Sequence, residues 1–195
     1  MPFDRTYLHA VRPRLSVKRP RSRIRMVLAL GLAAAFSLAP GLRAQSASQR
    51  EYEIKAAYLY NFIKYVDWPS YGDTITIGVL GGNPFGPALG PLNGKMVKGR
   101  RIVVRELDSV RDAQKCQIIF VSSSEKQRLQ EIFESLRPAR VLTVGETQGF
   151  ADGGGIINFI EENNKVRFEI NADAARRTGL NISSELLKLA KLVKS

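Results

Sequence analysis

The chain has 195 residues with 30 Lys and Arg, 18 Asp and Glu, one His and one Cys, which gives a formal net charge of +12. This length suits one domain, with or without a processed leader. A single cysteine excludes an internal disulfide, whereas the strong positive charge would by itself indicate a nucleic-acid partner.

Residues 1–44 are predicted to be a secretory signal peptide. Residues 1–25 hold eight Lys and Arg against one acid and run directly into the apolar stretch 26–39. Pro40-Gly41 then breaks the apolar helix, and Ala44 provides a small residue for cleavage. The alternative is an uncleaved anchor, but about 14 apolar residues at about 1.5 Å each fall short of a bilayer core roughly 30 Å thick. Cleavage after Ala44 leaves a single domain, residues 45–195.

Removing the leader changes both the charge and the available chemistry. It takes away 9 basic residues and 1 acid, so the mature domain has a net charge of only +4, with its charges interspersed. We therefore expect no nucleic-acid partner. His9 is also lost, and a chain without histidine cannot activate a Ser or Cys through imidazole or build a His-bearing metal site. These observations exclude most familiar hydrolases, and the mature chain offers no candidate catalytic residue, cofactor site or metal site.

Cys116, the lone cysteine of an exported chain, could be a buried inert thiol, an intermolecular bridge or a reactive group. It immediately precedes the apolar run QIIFV, residues 117–121. This position favours the buried thiol.

The mature domain is predicted to begin with a helix over residues 49–67, opened by a capping box at Ser48 to Glu51 and ended by Pro69. Its apolar arc covers half of the helix or more, so we expect it to be covered by the core and by a partner. The aromatic side of this helix and the residue that follows it, Tyr58, Tyr60, Tyr65 and Trp68, form the candidate partner surface, because Tyr and Trp combine a large apolar area with a polar group. Core packing is favoured for Tyr58 and Tyr65, so Tyr60 and Trp68 are the candidate partner contacts.

The remaining elements alternate between strands and helices. Hydrophobic periodicity and capping residues predict strands at 74–80, 101–105, 117–121 and 140–144, helices at 87–92 and 124–136, a hairpin formed by 156–160 and 166–170, a helix capped by Asn171 and ending at Arg177, and a final helix over 185–193. The resulting fold class is α/β: a three-layer sandwich, mostly parallel, with an antiparallel hairpin near the C-terminus.

The stretch GGNPFG, residues 81–86, follows the first strand of the sheet. It lacks the G-x-G-x-x-G pattern of dinucleotide sites, so we interpret it as a turn with Phe85 packed inward. The alternative is a ligand loop, because α/β sheets bind ligands at the carboxyl ends of their strands. That alternative makes Gly81, Gly82, Asn83 and Phe85 candidate contacts.

A second glycine-rich stretch, residues 149–155, leads into the hairpin and contains Asp152 followed by three glycines. It is interpreted as a connecting loop, and the alternative is again close approach of a ligand. Arg167 and Glu169 share one strand face, which we expect to be solvated. In a small-ligand-binding protein, Asp152, Arg167 and Asn171 would join the GGNPFG loop around a cleft at the strand ends.

Six segments in this order resemble the YfiR-like family of exported bacterial proteins: 55–69, 81–86, 142–144, 149–159, 166–171 and 180–187. The resemblance implies a periplasmic protein that is not an enzyme and that represses a membrane diguanylate cyclase by binding its periplasmic sensor domain. Such a protein controls cyclic-di-GMP, and with it biofilm and motility. By this resemblance the protein contacts the membrane only through its partner. A homodimer is left as an alternative to a monomer.

Overall fold

The structure, a computed structural model, describes residues 40–68 and 72–193, with side chains from residue 47 onward. Most of the predicted signal peptide, including His9 and the apolar stretch 26–39, lies outside the described residues, as does Pro69. The described residues from Ala44 onward belong to one compact unit.

Within the described ranges the secondary structure alternates much as the periodicity predicts. The α-helices are α1 (Pro40–Tyr65), α2 (Val110–Ala113), α3 (Leu129–Leu136), α4 (Ala172–Arg177) and α5 (Ser184–Leu189). The strands are β1 (Val66–Asp67), β2 (Thr74–Leu80), β3 (Met96–Val97), β4 (Arg100–Leu107), β5 (Ile118–Val121), β6 (Leu142–Gly145), β7 (Ile157–Glu162), β8 (Lys165–Asn171), β9 (Asn181–Ile182) and β10 (Lys191–Val193). Two 3₁₀ helices cover Gly86–Leu92 and Ser123–Arg128.

Eight of these strands form one sheet in the order β10-β8-β7-β6-β5-β2-β4-β3. The stretch from β7 to β4 is parallel throughout, whereas β7 pairs with β8 and β3 with β4 in antiparallel fashion. A separate two-stranded ribbon joins β1 to β9. The predicted fold class is confirmed, both in the mostly parallel sheet and in the antiparallel hairpin.

Residues of β5 alternate between two hydrophobic cores, one on each face of the sheet. Ile118 and Phe120 enter the larger core together with Phe62 of α1, while Ile119 and Val121 enter a smaller core with residues of α2 and α3. All four β5 side chains are fully buried. Successive side chains of a strand point to opposite faces of the sheet, and here both faces are covered by helices. The result is three layers, with the sheet in the middle.

Helix α1 differs from its prediction at both ends. It begins at Pro40, so the pair Pro40-Gly41 lies in its first turn and Ser48 is not its cap. Proline is tolerated at that place because the first amides of a helix have no intrahelical acceptor. The helix ends at Tyr65 because Val66 pairs with Ile182 of β9, and Ser183 donates its amide to the Tyr65 carbonyl at 2.9 Å.

The last predicted helix, residues 185–193, is wrong in its second half. Helix α5 ends at Leu189, and after Ala190 the residues Lys191–Val193 form β10, in parallel register with Glu169 to Asn171 of β8. Leu189, which helical periodicity places on the apolar face of the predicted helix, is 68% exposed. Backbone hydrogen bonds to β8 stabilise this short segment as a strand, although the spacing of its apolar residues fits a helix.

Candidate ligand and partner sites

The GGNPFG stretch lies at the carboxyl end of β2 and forms a turn whose amides are used inside the protein. Gly81 has φ 87°, and a Cβ there would come within 2.5 Å of the Ser124 hydroxyl oxygen. Gly82 donates its N–H to that hydroxyl at 3.0 Å, and Phe85 donates its N–H to Asn83 Oδ1 at 2.9 Å. These two amides, which a phosphate would need, already have acceptors.

Asn83 and Phe85 fix the direction of this turn. The Asn83 side-chain amide donates to Glu106 Oε1 at 2.7 Å, which ties the turn to β4. Phe85 is 2% exposed and makes edge contacts with Phe120 at 4.8 Å and Tyr52 at 5.3 Å between ring centroids. The predicted inward packing of Phe85 is confirmed.

Tyr52 also belongs to a polar network at the strand ends, together with Lys55 of α1 and Glu146 in the loop after β6. Lys55 Nζ lies 2.6 Å from Glu146 Oε2, and the two side chains are only 7% and 12% exposed. The Tyr52 hydroxyl donates to the same carboxylate at 3.1 Å. The sequence offered one signal for this network, the placement of Lys55 on the apolar face of its helix.

The role of this network is structural. Lys55 Nζ is also 2.6 Å from Glu51 Oε1 and 4.4 Å from the centroid of the Tyr52 ring, so its charge is fully engaged. Burial, followed by the neighbouring Glu146 carboxylate, raises the pKa of Tyr52, which keeps its hydroxyl protonated as a donor. The network holds the loop after β6 against α1.

Tyr60, one of the two predicted aromatic contacts, lies half-buried between two lysines. Lys64 Nζ is 4.4 Å and Lys95 Nζ 4.3 Å from the centroid of its ring. Met96, next to Lys95 and in edge strand β3, is 55% exposed. Tyr60, Lys64, Lys95 and Met96 are called the Tyr60 patch below. It combines cations, an aromatic ring and an exposed thioether on one edge of the sheet.

Trp68, the other predicted aromatic contact, has a different environment. It is 9% exposed and belongs to the larger core. Tyr58 also packs inward, against Phe62, Phe159 and Phe168 with ring centroids 5.3–6.0 Å apart. Of the two predicted contacts, Tyr60 is therefore the more exposed.

The residues predicted around the second glycine-rich stretch lie in different environments. Asp152 and Arg167 are exposed. Asn171 is fully buried: its Oδ1 accepts the Ala174 amide at 2.8 Å, and its Nδ2 donates to the Ala151 carbonyl at 2.8 Å. Its predicted role as the cap of α4 is confirmed.

The expected solvated face of β8 is wrong for Glu169. Arg167 is exposed, but Glu169 on the same face is only 8% exposed. The side-chain amide of Asn158, its cross-strand partner in β7, donates to Glu169 Oε1 at 3.0 Å. Burial of the carboxylate is offset by this hydrogen bond, which alternation within one strand could not predict.

A shallow cleft of about 70 Å³ lies between α3, α4 and the triple-glycine loop. Its lining consists of Gln130, Phe133, Leu136, Arg137, Val141, Thr143, Gly153, Gly154, Ile156, Ala174, Arg177 and Thr178. The structure therefore brings Gly153 and Gly154 to a cleft but does not bring the GGNPFG turn, Asp152 or Arg167 to the same one.

Cys116 is buried at the base of the smaller core, 5% exposed, as the sequence predicted. Burial raises the pKa of its thiol to about 11. The thiol therefore stays protonated near neutral pH, and a protonated thiol is a poor nucleophile.

In the described part of the chain, no helix is long and apolar enough to cross a membrane. Residues 40–68 and 72–193 also hold no group of three or more His, Cys, Asp or Glu placed to bind a metal ion.

Comparison with known proteins gives one match at the level of a family. Residues 52–191 match the DUF4154 family, described as YfiR/HmsC-like. This match spans well over half of the chain, including α1 from Tyr52 and the sheet as far as the start of β10.

Among solved structures, the chain is similar to a conserved domain protein from Vibrio cholerae, with 13% identity, a TM-score of 0.48 and coverage of 74% of this chain and 60% of that one. It is also similar to an ABC domain in complex with L-Trp from Streptococcus pneumonia, with 13% identity, a TM-score of 0.47 and coverage of 75% and 60%. The substrate-binding protein CD0873 from Clostridium difficile has 12% identity, a TM-score of 0.44 and coverage of 62% and 55%.

Proposed function

The chain belongs to the YfiR/HmsC-like family, and on that premise we propose that it is a periplasmic protein that represses an inner-membrane diguanylate cyclase by binding the periplasmic sensor domain of that enzyme. At the level of the family, the chain is a regulator in the diguanylate cyclase pathway. The partner, the direction of regulation and export by a cleaved signal peptide belong to the proposal.

The match over residues 52–191 is the observation that carries this function, since it spans the larger core, the sheet and the strand-end network together. A repressor must also release its partner when a signal arrives. A coupling of about 1–3 kcal/mol between signal and partner binding is typical for such regulation.

The Tyr60 patch is the surface best suited to the sensor domain. Aromatic rings and methionine are enriched at the centres of protein interfaces, and aromatic residues often carry much of the binding energy. Two lysine ammonium groups lie within 4.4 Å of the centroid of one ring, which concentrates positive charge at one point. We therefore expect the contacting face of the sensor domain to be acidic.

The function is tested by deleting the gene and measuring cellular cyclic-di-GMP. We expect the level to rise, and complementation with the wild-type gene to lower it again. Unchanged cyclic-di-GMP, together with no membrane cyclase recovered when the tagged protein is pulled down, would rule out the proposal.

The surface is tested separately with charge reversals. Lys64→Glu combined with Lys95→Glu is expected to lose repression at normal protein levels, because the variant surface repels an acidic partner. The matched control is Lys126→Glu with Lys188→Glu, which reverses two exposed lysines outside the patch. If both double variants repress equally well, the sensor domain binds elsewhere even where the deletion result stands.

A further inference from the structure

The edge of the sheet formed by β3 and β4 is strongly basic. No Asp or Glu occurs between Asp73 and Glu106, whereas residues 45–195 as a whole carry a net charge of only +4. Five cations lie in that stretch, just before β3, in the turn after it and in β4: Lys95, Lys98, Arg100, Arg101 and Arg105. Positive charge is therefore concentrated at this edge, which favours the approach of anions.

Lys64 and Lys95 come from separate elements and meet at one aromatic ring. Lys64 lies in the last turn of α1, one turn after Tyr60. The backbone of Lys95 is held on both sides, since its amide donates to the Leu92 carbonyl at 3.1 Å and its carbonyl accepts the Ile102 amide at 2.8 Å. The two Nζ atoms lie 4.4 Å and 4.3 Å from the centroid of the Tyr60 ring. They are therefore no farther apart than the sum of these two distances.

The charges of these two lysines are available to solvent. Both side chains are exposed. Among residues 40–68 and 72–193, no carboxylate forms an ion pair with either of them. Asp67, which follows Lys64 by three residues, pairs instead with Lys98 at 3.0 Å. Two ammonium groups thus lie close together without a counterion from the described chain.

The Tyr60 ring favours the positions of both ammonium groups. An ammonium group over the face of an aromatic ring is attracted by the negative charge of the π system. A side chain that is already restricted in this way loses less rotamer freedom when it binds a ligand. The edge of an aromatic ring carries partial positive charge, so the ring does not repel an anion that approaches its edge between the two lysines.

We propose that the Tyr60 patch binds a phosphate group, held between the ammonium groups of Lys64 and Lys95. Lysine binds phosphate as a point charge, through charge-assisted hydrogen bonds of about 2.8 Å. A phosphate monoester carries about 1.5 to 2 negative charges at neutral pH and has three acceptor oxygens, which suits two separate ammonium groups. A carboxylate carries one charge and therefore gains less from the second lysine.

This site overlaps the surface proposed for the sensor domain. A phosphate group and the acidic face of the sensor domain compete for the same two lysines, and this consequence rests on the proposed function. Binding of phosphate by the protein alone does not depend on that function.

The experiment titrates inorganic phosphate into the purified protein at pH 7.5 and constant ionic strength, and follows the backbone amides of Lys95 and Met96 by NMR. We expect saturable shifts at both amides. Acetate, which carries a single charge, is expected to bind at least about fivefold more weakly.

Lys64→Gln combined with Lys95→Gln removes both ammonium groups from exposed positions, so the fold should be unaffected. We expect this double variant to bind phosphate at least about tenfold more weakly. The matched control is Lys126→Gln with Lys188→Gln, which lowers the net charge equally at exposed positions outside the patch. Its affinity for phosphate should stay within about twofold of the wild type.

Sedimentation with vesicles distinguishes the two sources of a phosphate group. Phosphatidylcholine vesicles with and without phosphatidic acid are compared, because phosphatidic acid presents a phosphate monoester at the membrane surface. Sedimentation that requires phosphatidic acid and is lost in the Lys64 and Lys95 double variant would assign a lipid headgroup. Saturable binding of inorganic phosphate without sedimentation would assign free phosphate.

Three results would overturn the proposal: no saturable shifts at Lys95 and Met96, equal binding of acetate and phosphate, or equal affinities of the two double variants for phosphate. None of them bears on repression of a cyclase, which is measured in cells by cyclic-di-GMP.

Discussion

Lys55 Nζ lies 2.6 Å from Glu146 Oε2, although 91 positions separate the two residues in the chain. Both side chains are nearly buried, at 7% and 12% exposure. The pair joins α1 to the loop that follows β6 and fixes the carboxyl edge of the sheet against the helix. Removing one partner of a buried pair is costly because the other charge stays in place without its counterion.

Lys55→Met is therefore expected to lower the free energy of unfolding by about 3–5 kcal/mol, measured by urea denaturation. Methionine keeps the length of the chain but leaves the Glu146 carboxylate with only the Tyr52 hydroxyl. Lys126→Met, at an exposed position, is the control and should change stability by no more than about 0.5 kcal/mol. A loss below about 1 kcal/mol for Lys55→Met would show that this pair does not brace the fold.

Gly145, the last residue of β6, is expected not to tolerate alanine. A Cβ there would come within 2.5–2.7 Å of three atoms of the Phe150 ring. Overpacking of this kind costs about 1–3 kcal/mol. Since the close atoms all belong to one side chain, Gly145→Ala should cost less in a Phe150→Leu background. Gly90→Ala is the control, because a Cβ at Gly90 meets nothing within 4 Å. Additive costs in the double variant would contradict this account.

Asn171→Ala is expected to destabilise the protein more than Ser183→Ala, by thermal or urea unfolding. Both residues cap short helices, and a lost cap costs about 0.5–2 kcal/mol. Asn171 also donates to the Ala151 carbonyl inside the core at 2.8 Å, and loss of this hydrogen bond costs about 0.5–1.5 kcal/mol more, since that carbonyl still accepts the Gly154 amide at 3.3 Å. Equal losses would mean that the hydrogen bond to Ala151 contributes nothing.

Cys116 makes stability depend on alkaline pH. Its thiol has an ordinary pKa of 9.0, and burial raises this pKa to about 11 in the folded protein. Above pH 9 the unfolded chain loses the proton that the folded chain retains, so the free energy of unfolding falls as pH rises from 9 towards 11. The slope from one group cannot exceed about 1.4 kcal/mol per pH unit. Urea unfolding between pH 8 and pH 11 should show this decline, and Cys116→Ala should make it shallower.

The same burial predicts slow alkylation of Cys116. Iodoacetamide at pH 8 should modify the native protein far more slowly than the urea-unfolded chain, because the reactive thiolate is scarce and covered in the fold. Mass spectrometry of the modified peptide measures both rates. Rapid alkylation of the native protein would contradict the buried position of the thiol.

Elements with strong local signals were predicted closely. Strand β2 has the predicted bounds 74–80, and the Asn171 cap lies where its side chain suggested. The last segment was wrong because its residues fit a helix locally, while an unpaired edge of β8 offered hydrogen bonds that only the folded sheet could provide. Local periodicity carries no information about such an edge.

The candidate ligand contacts were likewise predictable from the sequence only in part. From the sequence, GGNPFG and the triple-glycine stretch were both interpreted as turns or loops, with a shared ligand cleft at the strand ends as the alternative. The structure instead places Gly153 and Gly154 over Phe133, beside Arg137 and Arg177, and engages the amides of Gly82 and Phe85 internally. No pattern in the sequence joins Arg137 to Gly154, because their proximity depends on how α3 lies across the sheet.

By itself the sequence determined the alternation of strands and helices, the hairpin, the inward Phe85 and the buried Cys116, since each follows from contacts between neighbours in the chain or from one residue's hydrophobicity. Only the tertiary structure decided the Lys55–Glu146 pair, the burial of Glu169 and the arginine-lined cleft. Each of these joins side chains from separate elements. Their distances are set by packing of both faces of the sheet, which spacing along the chain does not encode.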